Sequence, residues 1–278
     1  MREHFVLPPG KVQISFSGGR TSAFMLYQIL EANGGIPEER CEVIFCNTGR
    51  EMPQTLDFVA EVGRRWGVAI TWLEWRPAKP MFEVVGYQGA SRNGEPFEAL
   101  IEKRRYLPNQ AQRFCTEELK VLTAKRYLRS LGWDRWTNCI GIRADEAHRA
   151  GGGKQDRWER WHPLVAAGIT KRVVSEFWRR QPFDLQLPNV NGSCWLGNCD
   201  GCFLKSEASL AALIRDFPDR AAWWEQMEAK IPPTRGRAPT FSKRYSRREL
   251  REFIERQGDW LFSTEGALCQ ASDGECVI

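Results

Sequence analysis

Residues 12–16, Val-Gln-Ile-Ser-Phe, run directly into Ser17-Gly18-Gly19 and then into a segment, 21–33, whose Phe24, Leu26, Ile29 and Leu30 are spaced as on one helix. The unit is strand, glycine turn, helix, and it repeats. Residues 42–46 read as a second strand and Asn47-Thr48-Gly49 as a turn. Residues 53–66 read as a helix with Leu56, Val59 and Ala60 on a shared face, ended by Gly67. Residues 69–75 supply a third strand. Strands this apolar need cover on both faces, so the expected fold is α/β: a doubly wound parallel sheet.

The remainder is less regular. Residues 76–109 carry several Gly and Pro and predict a long excursion near a site. Thr116 is expected to cap a helix that runs to about Leu131, and residues 137–142 form a further strand leading into Arg143-Ala144-Asp145-Glu146. Residues 150–160, rich in glycine and charge, predict a mobile loop, and Thr170 opens a helix that Pro182 closes. After a cysteine-rich stretch, 188–205, the chain reads as helical over 206–217 and 219–231. A Pro/Arg-rich linker, 232–239, leads to a last helix with a Ser246/Glu249 capping box and Gly258 as its stop. The expected division is a nucleotide-binding region, 1–205, and a helical C-terminal appendage, 206–278, with a basic helix and a flexible tail.

Composition narrows the class. With 42% hydrophobic and 27% charged residues in 278, the chain suits a globular protein with a sizeable core. No apolar run approaches the roughly 18 residues of a membrane span, and Met1-Arg2-Glu3-His4 lacks the plan of a signal peptide, so no membrane association and a cytoplasmic location are expected. Nine cysteines, an odd number, read as thiols and metal ligands rather than disulfide staples. The net charge of +5 resides between Arg235 and Arg256, where eight Lys or Arg face three Glu. Such a segment meets nucleic acid or an anionic metabolite, or is simply a solvated face.

Ser17-Gly18-Gly19-Arg20-Thr21-Ser22 lies where a parallel strand turns into a helix, so backbone N–H groups and the helix N-terminus face outward as an anion site. The glycines permit close backbone approach to phosphate; Ser17, Thr21 and Ser22 add hydroxyls and Arg20 a charged fork. No Gly-Lys-Ser/Thr follows, so this is not a Walker A loop, and taken alone it also reads as a tight turn.

The strand, the Ser-Gly-Gly-x-x-Ser pattern and the helix resemble the PP-loop of the ATP pyrophosphatases, in particular the phosphoadenosine phosphosulfate (PAPS) reductase family, whose members commonly carry Lys-Asp in place of Arg20-Thr21. Phe45 to Thr55, with Asn47, Thr48, Gly49, Glu51 and Pro53, is similar to that family's second-strand motif near the adenosine. Gly141-Ile142-Arg143, with Arg149, resembles its Gly-x-Arg segment, and His162-Pro163-Leu164 its Pro-Leu turn. The ordered set covers roughly residues 12 to 205. The resemblance implies an adenine nucleotide α-hydrolase-like fold and ATP, PAPS or adenylyl sulfate (APS) as substrate, with Mg2+ as a candidate companion ion. It also implies that Arg143 and Arg149 neutralise developing negative charge.

Cys194, Cys199 and Cys202 fall within nine residues on a glycine-containing loop, and Cys115, at a helix start, is the best fourth ligand. Four thiols host zinc or an iron–sulfur cluster, and spacing does not separate the two. The pattern of one cysteine before a Thr-Glu-x-x-Lys helix and a Cys-x-x-Cys about 80 positions on resembles the cluster-bearing sulfonucleotide reductases, which implies a 4Fe–4S cluster. Those enzymes usually show Cys-Cys where this chain has Phe114-Cys115. Cys41, Cys46 and Cys139 read as packing residues.

PAPS reductases attack with a cysteine in a C-terminal Glu-Cys-Gly-Leu-His motif, absent here; Cys269 and Cys276 are the tail's candidate nucleophiles, beside the alternative of a functionless tail. Three readings follow. The first is an ATP-dependent sulfur-transfer enzyme with DNA or tRNA as acceptor and a separate sulfur donor. The second is a thiol-dependent PAPS or APS reductase served by a thioredoxin-like protein, and the third a non-catalytic nucleotide-binding protein with structural metal. A homodimer is a further candidate assembly.

Overall fold

The computed structural model describes residues 2–151, 156–190, 193–233 and 238–257. The two expected units are β1 (Val12–Ser15) with α1 (Arg20–Asn33), and β2 (Cys41–Asn47) with α2 (Pro53–Trp66), followed by β3 (Thr71–Glu74). Both helices end where glycine enters the left-handed region, Gly34 at φ 67° and Gly67 at φ 60°, and Pro53 occupies the first turn of α2, where its missing N–H costs nothing.

The excursion over 76–109 returns to the turn after β2, where Ser91 bonds Asn47 and Glu74, and it carries two elements that the sequence did not disclose. It holds β4 (Glu83–Val85), antiparallel to β3, and α3 (Glu95–Arg104). β4 is three residues long and mostly exposed, so it carries no hydrophobic period to read. α3 has no side-chain cap, but Phe97, Leu100 and Ile101 sit one turn apart and are buried. Thr116 does not cap its helix: the segment begins as α4 (Phe114–Thr116), passes through a π-helical stretch, Glu117–Leu122, and continues as α5 (Thr123–Ser130). β5 (Trp136–Cys139) stops earlier than expected. Part of the expected loop at 150–160 is a strand, β6 (Trp158–Trp161), whose central Glu159 and Arg160 disguised it as solvent-facing coil.

The sheet order is β4-β3-β2-β1-β5-β6, parallel throughout except for β4. Successive side chains of β2 and β3 enter opposite layers: Val43, Phe45 and Trp72 join the large core with α1 and α2, while Ile44 and Leu73 join Ala124, Leu128, Trp133 and Trp136 beneath α5. This is the doubly wound arrangement.

Beyond β6 come α6 (Pro163–Ala166), α7 (Lys171–Trp178), a short pairing of β7 (Asn189–Val190) with β8 (Ser193–Cys194), and then α8 (Glu207–Asp216), α9 (Pro218–Lys230) and α10 (Arg247–Gln257). The Ser246/Glu249 capping box forms: Ser246 N–H donates to Glu249 Oε2 (2.7 Å) and Glu249 N–H to Ser246 Oγ (3.1 Å). Its expected stop, Gly258, and the tail lie outside the described residues. The helical region shares the large core, with Phe97 of α3 packed edge-on against Trp224 of α9 (centroids 5.7 Å) and Trp224 against Phe241 (5.0 Å).

Candidate nucleotide and thiol site

The loop after β1 is held by its own hydroxyls. Ser17 N–H donates to Ser22 Oγ (3.2 Å), the two seryl oxygens are 2.9 Å apart, and Ser22 Oγ donates to Gly19 O (3.0 Å). Gly18 has φ 78°, and a Cβ there would come within 2.8 Å of Thr55 Cγ2, so this position requires glycine on both backbone and contact grounds. Gly19 is the N-cap of α1 and, having no side chain, makes no side-chain cap bond, so the backbone itself faces the loop at the helix N-terminus. Arg20 is turned to Asp184, with Nε donating to Oδ1 at 2.6 Å and Nη2 to Oδ2, while its carbonyl accepts from Trp178 Nε1 (2.8 Å).

The end of β5 reaches the same loop. Gly141 packs on Ser22, where an added Cβ would lie 3.4 Å from Ser22 Cα. Arg143 is buried, and its Nη1 donates to Thr21 Oγ1 (3.2 Å) and its Nε to Asp145 (3.1 Å). Arg149 meets it through Glu146: Arg149 Nη1 donates to Glu146 Oε1 (2.7 Å), and Arg143 Nη2 lies 3.4 Å from the same oxygen.

The turn after β2 is a second polar knot. Asn47 Nδ2 donates to Glu74 Oε1 (2.6 Å) and to Ser91 O (2.8 Å), while its Oδ1 accepts from Gly49 N–H (3.1 Å). Glu51 accepts from Thr48 N–H (2.9 Å) and from the Thr48 hydroxyl. Thr48 Oγ1 also lies 3.3 Å from Cys199 Sγ, and Glu51 forms an isolated β-bridge with Cys199. Since β1 and β2 are neighbouring parallel strands, both loops stand at the same carboxyl edge of the sheet.

Cys115, Cys199 and Cys202 line one cavity with Thr48, Lys120 and Asn198. Cys194 is buried but is not part of that lining. Burial pushes the Cys199 and Cys194 thiols up from their ordinary values, and Cys46 up to about 12. Lys205 is buried and hydrogen-bonds Trp195 O (2.7 Å) and Gly197 O (2.8 Å), and desolvation holds its ammonium below the usual lysine value. Asn198 is 4% exposed at φ 54°, and neither carboxamide atom has a partner. Among the described residues, no group of three or more His, Cys, Asp or Glu is arranged to hold a single metal ion.

The profile of the phosphoadenosine phosphosulfate reductase domain matches residues 11–165, which span β1 to α6 and so include both loops and the Arg143 segment. The chain belongs to this family. It is 31% identical over 212 residues, 73% of this chain and 69% of the other, to an uncharacterized nin-region protein of Escherichia phage lambda. It is 28% identical to an uncharacterized protein of Methanocaldococcus jannaschii, over 49% of this chain and 23% of that one. Similar solved structures include a phosphoadenylyl-sulfate reductase from Candida auris in a phosphate complex (16% identity, TM-score 0.39, 63% of this chain and 78% of that one). Another is a U34-tRNA thiolase from Methanococcus maripaludis with its 4Fe–4S cluster (13%, TM-score 0.37, 94% and 88%).

Cys269 and Cys276 fall outside the described residues. In the basic C-terminal segment, Arg248 pairs with Glu252, Arg251 with Glu225 and Glu255, Arg244 with Glu207, and Arg247 is buried. Arg235 and Arg237 of that segment lie outside the described residues. Sequence reading missed Asp184, Glu74 and Asp200, whose partners lie far along the chain, and Lys205, which bonds backbone carbonyls of the cysteine loop itself. Asn198 carried a weak signal as a non-glycine turn residue inside a cysteine loop. No helix among the described residues is long and apolar enough to cross a membrane.

Proposed function

We propose that this protein is an ATP-dependent sulfur-transfer enzyme that cleaves ATP to AMP and pyrophosphate. The observation that carries the reading is the abutment of the two polar turns and the thiol cavity at one sheet edge, with Thr48 touching Cys199 (3.3 Å). In this scheme the N-terminus of α1 and the Ser17–Ser22 loop take the pyrophosphate portion of ATP. Arg143, held on Thr21, offsets charge that develops as an acceptor oxygen attacks the α-phosphorus and pyrophosphate leaves. A sulfide-level sulfur from a separate donor then attacks the adenylated acceptor, the bond to sulfur forming as the bond to the AMP oxygen breaks and AMP leaves.

A 4Fe–4S cluster in this cavity is supported by the cysteine pattern, which is similar to that of the cluster-bearing sulfonucleotide reductases; four thiols can host either zinc or such a cluster. Cys115, Cys199 and Cys202 would hold it. The unpartnered Asn198 carboxamide supplies a donor for a sulfur atom, and the buried Lys120 and Lys205 offset an anionic centre. When bound, the cluster would supply the place where sulfur is carried.

The test uses anaerobically purified protein given ATP with DNA or tRNA and, separately, PAPS with thioredoxin. Pyrophosphate release stimulated by nucleic acid supports the proposal. Sulfite release from PAPS with no ATP turnover replaces it by sulfonucleotide reduction, and nucleotide binding without either product leaves a binding protein.

A further inference from the structure

Asp200 stands between Cys199 and Cys202 and is fully buried. Its N–H donates to Arg50 O (2.9 Å). Its carboxylate accepts from Arg50 Nη2 (2.7 Å), Trp224 Nε1 (2.8 Å), Gly201 N–H (2.7 Å) and Arg220 Nε. Arg220 Nη2 in turn donates to Glu51 O (2.8 Å), and the Arg50 guanidinium lies over the Trp223 ring, 4.7 Å from its centroid. One carboxylate therefore gathers the turn after β2 through Arg50, the thiol loop through its own backbone and Gly201, and α9 through Arg220 and Trp224.

A buried carboxylate bonded on all sides has no low-cost alternative position, because each charge-assisted bond broken in a dry site leaves a donor or acceptor unpaired. A shift of residues 48–51 must either break that set or carry residues 199–202 along. We infer that Asp200 is a positioning residue that couples nucleotide occupancy of the 47–51 turn to the placement of Cys199 and Cys202. The inference rests on the reading of that turn as nucleotide-facing.

Hydrogen exchange measured by mass spectrometry on the purified full chain, with and without ATP, tests it, with calorimetry reporting ATP binding in parallel. In the wild type, ATP slows exchange both in peptides covering 47–52 and in those covering 198–205. In Asp200→Asn, ATP still binds and still slows 47–52, but the slowing over 198–205 falls by about fivefold or more. A purely structural role would lower the thermal midpoint and leave the ratio of the two protections unchanged. Should Asp200→Asn not fold, Arg220→Lys carries the same expectation with the carboxylate intact.

Equal protection of 198–205 in the variant and the wild type overturns the coupling. So does wild-type protection confined to 47–52, which leaves the nucleotide reading standing. Absence of ATP binding by calorimetry removes the nucleotide reading and the coupling together.

Discussion

At the scale of single residues, Ser22 organises the anion loop, since its Oγ is bonded to Ser17 N–H, Ser17 Oγ and Gly19 O. Ser22→Ala removes these bonds and frees Ser17, at a cost of about 1 kcal/mol in stability. ATP affinity, measured by calorimetry, is expected to fall about tenfold, because 1.4 kcal/mol of lost preorganisation corresponds to that factor. His162, before α6, gives a pH signature. Burial, aided by the Arg160 charge, holds its imidazole below the usual 6.5. The unfolded chain thus binds this proton at higher pH than the native one, so the stabilisation is whole above 6.5 and is lost as pH falls through the native value. Thermal midpoints followed from about pH 7.5 down to about pH 5.5 should show a smaller loss in His162→Gln than in the wild type.

At the scale of elements, sequence signals served where short-range physics sets the structure. The β1-loop-α1 and β2-turn-α2 units were readable because apolar periods meet glycine stops at Gly34 and Gly67. β4 and β6 were not, because a three-residue strand and a strand with charged central residues owe their form to the neighbours they pair with. The same division runs through the candidate site. The loop serines and glycines and the three cavity thiols were visible as motifs, whereas Asp184 and Asp200 find their arginines 164 and 150 positions away, a link no local pattern carries. The cysteine loop gives an expectation of its own. Cys115→Ala, Cys199→Ala and Cys202→Ala should each abolish the brown colour and iron content of anaerobically prepared protein, whereas Cys194→Ala, outside the cavity lining, should keep both. Loss of iron in Cys194→Ala would make it the fourth ligand.

Across the whole molecule, the helical region and the sheet region are joined through aromatic packing and the Asp200 bonds. Trp224 fills the junction: it is 1% exposed, contacts Phe97, Trp223 and Phe241, and donates to Asp200. Trp224→Ala should cost about 3–5 kcal/mol by chemical denaturation, with Asp200 also losing a donor. A single coincident transition by fluorescence and circular dichroism is expected, since the core runs without a break from β1 to Phe241.

The Ser17–Ser22 loop with the first turn of α1, the 47–51 turn and the Arg143 segment all stand at the sheet's carboxyl edge, with the cysteine loop beside them. The opposite rim carries Gly34, Gly35, Gly67 and Gly132, where an added side-chain atom would meet nothing within 4 Å. Splicing a fluorophore-bearing peptide or an immobilisation handle into that rim would leave the chemistry untouched, and it offers a tether for single-molecule work with the reactive mouth pointing into solution.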